Sequence, residues 1–104
     1  MPNLEQFGRF LEPALLILVS LAGGPKHGYA MIEDIERLYA VRLGPGTLYG
    51  ALARLEKQGW IAALPSEDRR RPYQLTESGA RLLQDQLNRL QDLTAVGLRR
   101  LAMS

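Results

Sequence analysis

Cysteine is absent from this sequence, and histidine and tryptophan occur once each among its 104 residues. The first absence excludes a disulfide framework and any thiolate metal site, and it fits a reducing, cytoplasmic setting. A single histidine, His27, leaves a metal centre to scattered carboxylates, so no metal site and no cofactor are expected. With no cysteine, one histidine and four isolated serines, no nucleophile–base pair emerges, and the chain is read as a non-enzyme. Long apolar runs are missing too. Pro13–Ala22 spans only about 15 Å as a helix, too short to cross a bilayer. No basic segment precedes it, and Gly23-Gly24-Pro25 ends it without a small-residue cleavage pattern, so it reads as a core helix and not a signal peptide. Gly23 and Gly28 have the spacing of a phosphate loop, but Tyr29 and Ala30 follow where Lys and Ser or Thr are required. There are no internal repeats and no low-complexity tract.

Charge of either sign is nearly balanced, at a formal +2, and total charge argues weakly for nucleic acid. Its distribution says more. Eleven of thirteen basic residues are arginine, and Arg69, Arg70 and Arg71 are consecutive. The triplet is either a solvated turn or a local phosphate-binding spot.

The length predicts one domain with a modest core, which a partner subunit would help to stabilise. Residues 1–10 are weakly patterned, with Phe7 and Phe10 as anchor candidates. Pro13 opens a first helix in which Leu15, Leu16, Leu18, Val19 and Leu21 cover most of the circumference, placing it centrally. A second helix runs from about His27 to Tyr39, with Tyr29, Ile32, Ile35, Glu36 and Tyr39 recurring at three- and four-residue spacing. A third starts near Pro45, turns Leu48, Ala51, Leu52 and Leu55 inward, and stops at Gly59, well placed as a C-terminal cap. Trp60–Leu64 and Arg70–Leu75 read as strands joined by a turn at 65–68, with Pro72 expected to face away from the partner strand. From Thr76 a helix of about 28 residues, or about 42 Å, runs to the C-terminus.

Helix, helix, helix, strand, turn, strand, long helix is the plan of a winged helix-turn-helix, mainly α with a small β-hairpin. The expected division is 1–75 as the winged domain with an N-terminal extension and 76–104 as a dimerisation helix. In such a domain the third helix enters the major groove and the hairpin wing reaches phosphate or the minor groove.

Three segments sharpen this. HGYAMIEDIE (His27–Glu36), LGPGTLYGALARLEKQGWI (Leu43–Ile61) and RRRPYQLTESG (Arg69–Gly79) together resemble, in order, the motifs of the PadR-like transcriptional regulators. The resemblance covers about 10–100 and implies a cytoplasmic DNA-binding regulator, usually a repressor, that dimerises through its C-terminal helix. Many relatives respond to phenolic acids or drugs, and the ending after one long helix resembles the family's short branch. The implied DNA-contacting set is His27, Tyr29, Pro45, Gly46, Thr47, Tyr49, Gly50, Arg54, Lys57, Arg69, Arg70 and Arg71.

The departures from the pattern also matter. Gly44 stands where a capping serine is usual, Gly50 where proline is usual, Ala53 where a basic residue is frequent, and Pro72 in place of a wing Lys or Tyr. Gly46, Gly50, Ala53 and Lys57 share the side of the third helix opposite its leucines. That surface offers few side chains for base edges, so phosphate contacts, thymine-methyl contact and DNA shape are expected to carry recognition; drift at Gly50 and Ala53 is the bland alternative.

His27 reads as a structural or phosphate-contacting residue at a helix start. Trp60 is either core packing beneath the wing or one wall of an effector pocket between subunits. Leu83, Leu87, Leu90, Thr94, Leu98 and Leu101 line one side of the last helix, which outruns the domain and needs cover, so a helix-to-helix homodimer seam is expected. The expected partners are double-stranded DNA with a pseudo-palindromic operator, a second copy of the chain and a small aromatic or drug-like effector, with no membrane. The alternative is a winged-helix protein-interaction module without direct operator binding.

Overall fold

The structure, a computed structural model, describes residues 12–67 and 69–104; the Phe7 and Phe10 anchors and the turn residue Asp68 lie outside the described residues. Four helices and a hairpin follow in the expected order: α1 Pro13–Ala22, α2 Gly28–Tyr39, α3 Pro45–Lys57, β1 Ile61–Ala63, β2 Tyr73–Leu75 and α4 Glu77–Met103. The architecture is the mainly helical winged helix-turn-helix with a long C-terminal helix.

Helix α1 is central because it is apolar nearly all round. Leu16, Ile17, Leu18 and Leu21 are buried, and the helix touches α2, α3, α4 and β2. On α2 the buried residues are Gly28, Met31, Ile32 and Ile35. Tyr29 and Tyr39, placed in the recurring stripe by their spacing, are instead exposed; Met31 and Gly28 take the inward positions, which turns the buried face away from both tyrosines. The inward stripe of α3 is Leu48, Ala51, Leu52 and Leu55, as its spacing predicts.

Two helix ends are built by left-handed residues. Ala40 ends α2 at φ 58°, an αL position that glycine occupies more cheaply. After α3, Gly59 has φ +79°, Trp60 N–H donates to Leu55 O at 3.1 Å and Gly59 N–H to Glu56 O at 3.0 Å. This pair of bonds is a Schellman cap, and it launches the chain into β1.

The hairpin is antiparallel, with Ile61 opposite Leu75 and Ala63 opposite Tyr73. It is shorter than its sequence pattern suggests, and Pro72 is the reason. Leu64 N–H donates to Pro72 O at 2.8 Å, so Pro72 faces β1 rather than away from it. Its missing N–H leaves that last rung with one bond, and the ladder ends there. The other edge of β2 is also paired: Lys26 N–H donates to Tyr73 O at 3.2 Å, and Tyr73 N–H to Lys26 O at 3.0 Å. Lys26 thus adds a single bridge to the outer edge of β2, which the sequence pattern did not reveal.

A polar cluster ties α1 to α2. Buried Ser20 donates from Oγ to Asp34 Oδ2 at 2.7 Å. Arg37 Nη2 reaches Asp34 Oδ1 at 2.7 Å, Lys26 Nζ lies 3.8 Å from Oδ2, and Lys26 also donates to the Ser20 carbonyl. The serine hydroxyl, aided by Arg37 and Lys26, holds the Asp34 carboxyl below its usual pKa against the opposing effect of burial.

The start of α4 is locked to the end of α3. Thr76 Oγ1 accepts from Gly79 N–H at 3.1 Å as the N-cap, and donates to Gly59 O at 2.6 Å. Ser78 Oγ donates to the same carbonyl at 3.0 Å, and Thr76 N–H donates to Trp60 O at 3.1 Å. Gly79 allows this approach, since a Cβ there would stand 1.9 Å from Trp60 O. Beyond this joint α4 projects from the helical core, and the chain with α4 included is 57 Å in its longest dimension.

Candidate nucleic-acid interface

The expected contact residues fall on three elements. From α3, Pro45, Gly46, Thr47, Tyr49, Gly50, Arg54 and Lys57 are all exposed, as is Ala53. Pro45 begins the helix, and its N-cap Gly44 makes no side-chain capping bond. A methyl at Gly46 would meet nothing within 4 Å, and one at Gly50 only the Arg54 guanidinium at 3.8 Å. The outer side of α3 is therefore bare, with Thr47, Tyr49, Arg54 and Lys57 around it.

From α2 come His27 and Tyr29. His27 caps the helix, its Nδ1 accepting from Ala30 N–H at 3.3 Å. That bond places the neutral ring's proton on Nε2, the edge left to donate outward. The structural and phosphate-contacting roles of His27 are thus compatible. Gly28 is buried because Tyr49 lies across the helix start: a Cβ at Gly28 would be 2.7 Å from the Tyr49 hydroxyl.

From the wing come the exposed Arg69, Arg70 and Arg71. They line one hollow of about 190 Å³ together with His27, Gly28, Tyr29, Tyr49 and Tyr73. The Arg70 guanidinium carbon is 6.0 Å from the Tyr29 ring centroid, at the outer range of a cation–π contact. Burial, with Glu56 nearby, pushes the Tyr73 phenol pKa up, keeping it a neutral hydrogen-bond donor. The three arginines, all exposed, share a concavity with the start of α2 and with α3.

The remaining expected residues divide. Trp60 is half-buried against the core and also lines a separate cavity of about 290 Å³ formed within the one chain. On α4, Leu83 is only 4% exposed within its own chain, which makes it a core residue in the monomer and leaves Leu87 as the start of the exposed row. Leu87, Leu90, Leu98 and Leu101 are 39–73% exposed, and Thr94 is exposed between them with its Oγ1 donating to Leu90 O at 2.8 Å. Leu93 and Met103 extend the bare apolar surface. Sequence spacing did not reveal the Asp34 cluster or the α3–α4 joint. The Thr-x-Ser-Gly run at 76–79 was the available signal for the second.

Among the described residues there is no cluster of potential metal ligands, and no helix is long and apolar enough to cross a membrane.

A three-helix core, a paired wing and a third helix with an exposed outer side define a winged helix-turn-helix domain. The family model for the transcriptional regulator PadR-like family matches residues 17–85. The chain belongs to that family, whose members are transcription regulators rather than enzymes. It is 48% identical over 73 residues, 70% of its length, to an uncharacterized 37.1 kDa protein in transposon TN4556 of Streptomyces fradiae. It is 30% identical over 90 residues, 86% of its length, to the transcriptional activator GvpE2 of Halobacterium salinarum. The matches span 21% and 46% of those two relatives. Its fold is similar to the crystal structure of a PadR family transcription regulator from Clostridium difficile, with a TM-score of 0.79, 24% identity, and coverage of 88% of this chain and 99% of that one.

Proposed function

We propose that the chain is a homodimeric, cytoplasmic repressor that places its two α3 helices in successive major grooves of a pseudo-palindromic operator. Half-site centres then lie about one helical turn apart. Residues 76–104 pair the subunits through the row from Leu87 to Leu101, while the first turns of α4 serve the domain core. The observation that carries the reading is the hollow shared by His27, Tyr29, Tyr49 and the three wing arginines. Phosphate fits a concavity walled by three guanidinium groups and a helix N-terminus. Thr47, Tyr49, Arg54 and Lys57 set register against phosphate, and the bare side of α3 lets the helix backbone approach the groove floor. Sequence is then read by methyl contact and DNA shape more than by bidentate bonds. Repression follows from exclusion of polymerase, and release from a small aromatic ligand at the Trp60 cavity. The name of the Halobacterium relative makes that protein an activator, so the direction of regulation is tested separately, by transcription from the bound promoter.

The experiment is a salt titration of binding to the DNA upstream of the protein's own gene. Replacing Arg69, Arg70 and Arg71 with alanine should lower the log–log salt slope by about 2–3, near one unit per lost phosphate contact. An unchanged slope would remove the wing from the interface. Steep affinity losses at several adjacent single-base operator variants would overturn shape-dominated reading.

A further inference from the structure

The Trp60 cavity has a chemical character of its own. Its apolar walls include Leu15 of α1, Leu55 of α3, Leu82 of α4 and the indole; Gln86 and Glu12 supply its polar groups, and Glu12 is the only ionisable residue among the described residues that line it. Glu12 occupies the N-cap position of α1, yet its carboxylate makes no capping bond. A carboxylate ligand entering here meets a like charge, with no cation among the described lining residues to offset it. An ammonium meets the opposite charge, and its ring meets an indole and leucines.

Resting on the reading of this cavity as an effector site, we propose that it takes a compact aromatic amine, with the ring between Trp60 and the leucines and the ammonium at Glu12. At about 290 Å³ the cavity is at the small end of ligand sites, a size for one or two rings. Its position gives the occupant a mechanical role. The Trp60 backbone N–H belongs to the cap of α3, and its carbonyl accepts from Thr76 at the start of α4. A ligand that moves the indole acts on the joint between the DNA-facing helix and the long helix.

The test uses the intact protein and two probes of matched ring and opposite charge, phenethylamine and 3-phenylpropionate. Trp60 is the sole tryptophan, so its emission reports from the cavity wall, and calorimetry gives the stoichiometry. The amine should change the emission saturably and bind more tightly than the acid. Glu12→Gln should weaken the amine by about 3–5-fold at low salt and erase the preference, as expected for a partly solvated ion pair. Equal or tighter binding of the acid, or a preference that survives Glu12→Gln, overturns the assignment of ligand class. Silence of Trp60 towards both probes overturns the site itself and points to cover by this chain or a second copy. Binding of the amine without release of operator DNA leaves the cavity's chemistry standing and refutes its effector role.

Discussion

Gly79→Ala is the sharpest probe of how α3 is joined to the long helix α4. In an ordinary helix the change is favourable, by about 1 kcal/mol, because alanine has the higher propensity. Here the new methyl would stand 1.9 Å from the Trp60 carbonyl oxygen. That atom is backbone, held by Thr76 N–H at 3.1 Å, and no rotamer relieves the clash. The start of α4 must retreat by roughly 1 Å or more, and overpacking of this kind costs about 1–3 kcal/mol, sometimes more. The retreat also stretches the Thr76 and Ser78 bonds to Gly59 and the Thr76 bond to Trp60, each worth about 1 kcal/mol. Offsetting these against the propensity gain leaves a net loss of about 2–4 kcal/mol, or about 10–15 °C for a domain of this size. Thermal unfolding by circular dichroism at fixed protein concentration measures it, since self-association of the kind proposed makes Tm concentration-dependent. A Gly79→Ala protein as stable as the parent would show that α4 is not seated on Trp60, and the rigid joint would be lost with it.

Four further outcomes follow from other positions. Gly50→Ala has only an arginine tip near it, so it should raise stability by about 1 kcal/mol while weakening operator binding; unchanged binding would argue that the α3 backbone does not approach DNA closely. Ala40→Gly relieves the αL strain at φ 58° and should stabilise by about 0.5–1 kcal/mol in urea unfolding. Ser20→Ala removes the leading cause of the low Asp34 pKa and should cost about 1.5–3 kcal/mol near neutrality. A folded-state pKa below the unfolded value gives stability that is present above the unfolded carboxyl pKa and lost as pH falls through the folded one. The parent should therefore lose more than Ser20→Ala on acidification, and parallel acid profiles would sink that account. Substituting both Leu87 and Leu90 with Glu should give monomers with weak operator binding, and intact dimers in sedimentation would refute the seam.

Element order was legible because each helix has strong punctuation: Pro13 and Pro45 at starts, Gly23 and Gly59 at ends. The core of α3 was legible for the same reason, since Leu48, Leu52 and Leu55 allow only one inward face. Helix α2 was harder, because its tyrosines repeat at the same spacing as its core residues and only tertiary packing selects Met31 and Gly28. Lys26 pairing with Tyr73 was hidden, since a single bridge leaves no alternation to read. Leu83 and Leu87 are four residues apart on one helix face, so periodicity alone does not tell where the domain ends and the exposed row begins. The wing arginines were visible as a cluster, but their meeting with His27 and Tyr49 is a product of the fold.

The glycines separate two kinds of constraint that composition merges. At Gly28 and Gly79 the fold itself forbids a side chain, because Tyr49 and the Trp60 carbonyl occupy the space. At Gly46 and Gly50 there is no such demand, and Ala53 is likewise exposed. An interior helical glycine lowers stability by about 1 kcal/mol relative to alanine, so Gly50 burdens α3 with a cost that no contact within the monomer explains. In a winged helix the outer side of the third helix faces the major groove, where a missing side chain permits a closer backbone and removes direct readout at once. On the proposed reading, the same bareness weakens base-by-base discrimination and shifts affinity onto Arg69, Arg70 and Arg71, so that binding strength depends on salt and operator choice on DNA shape.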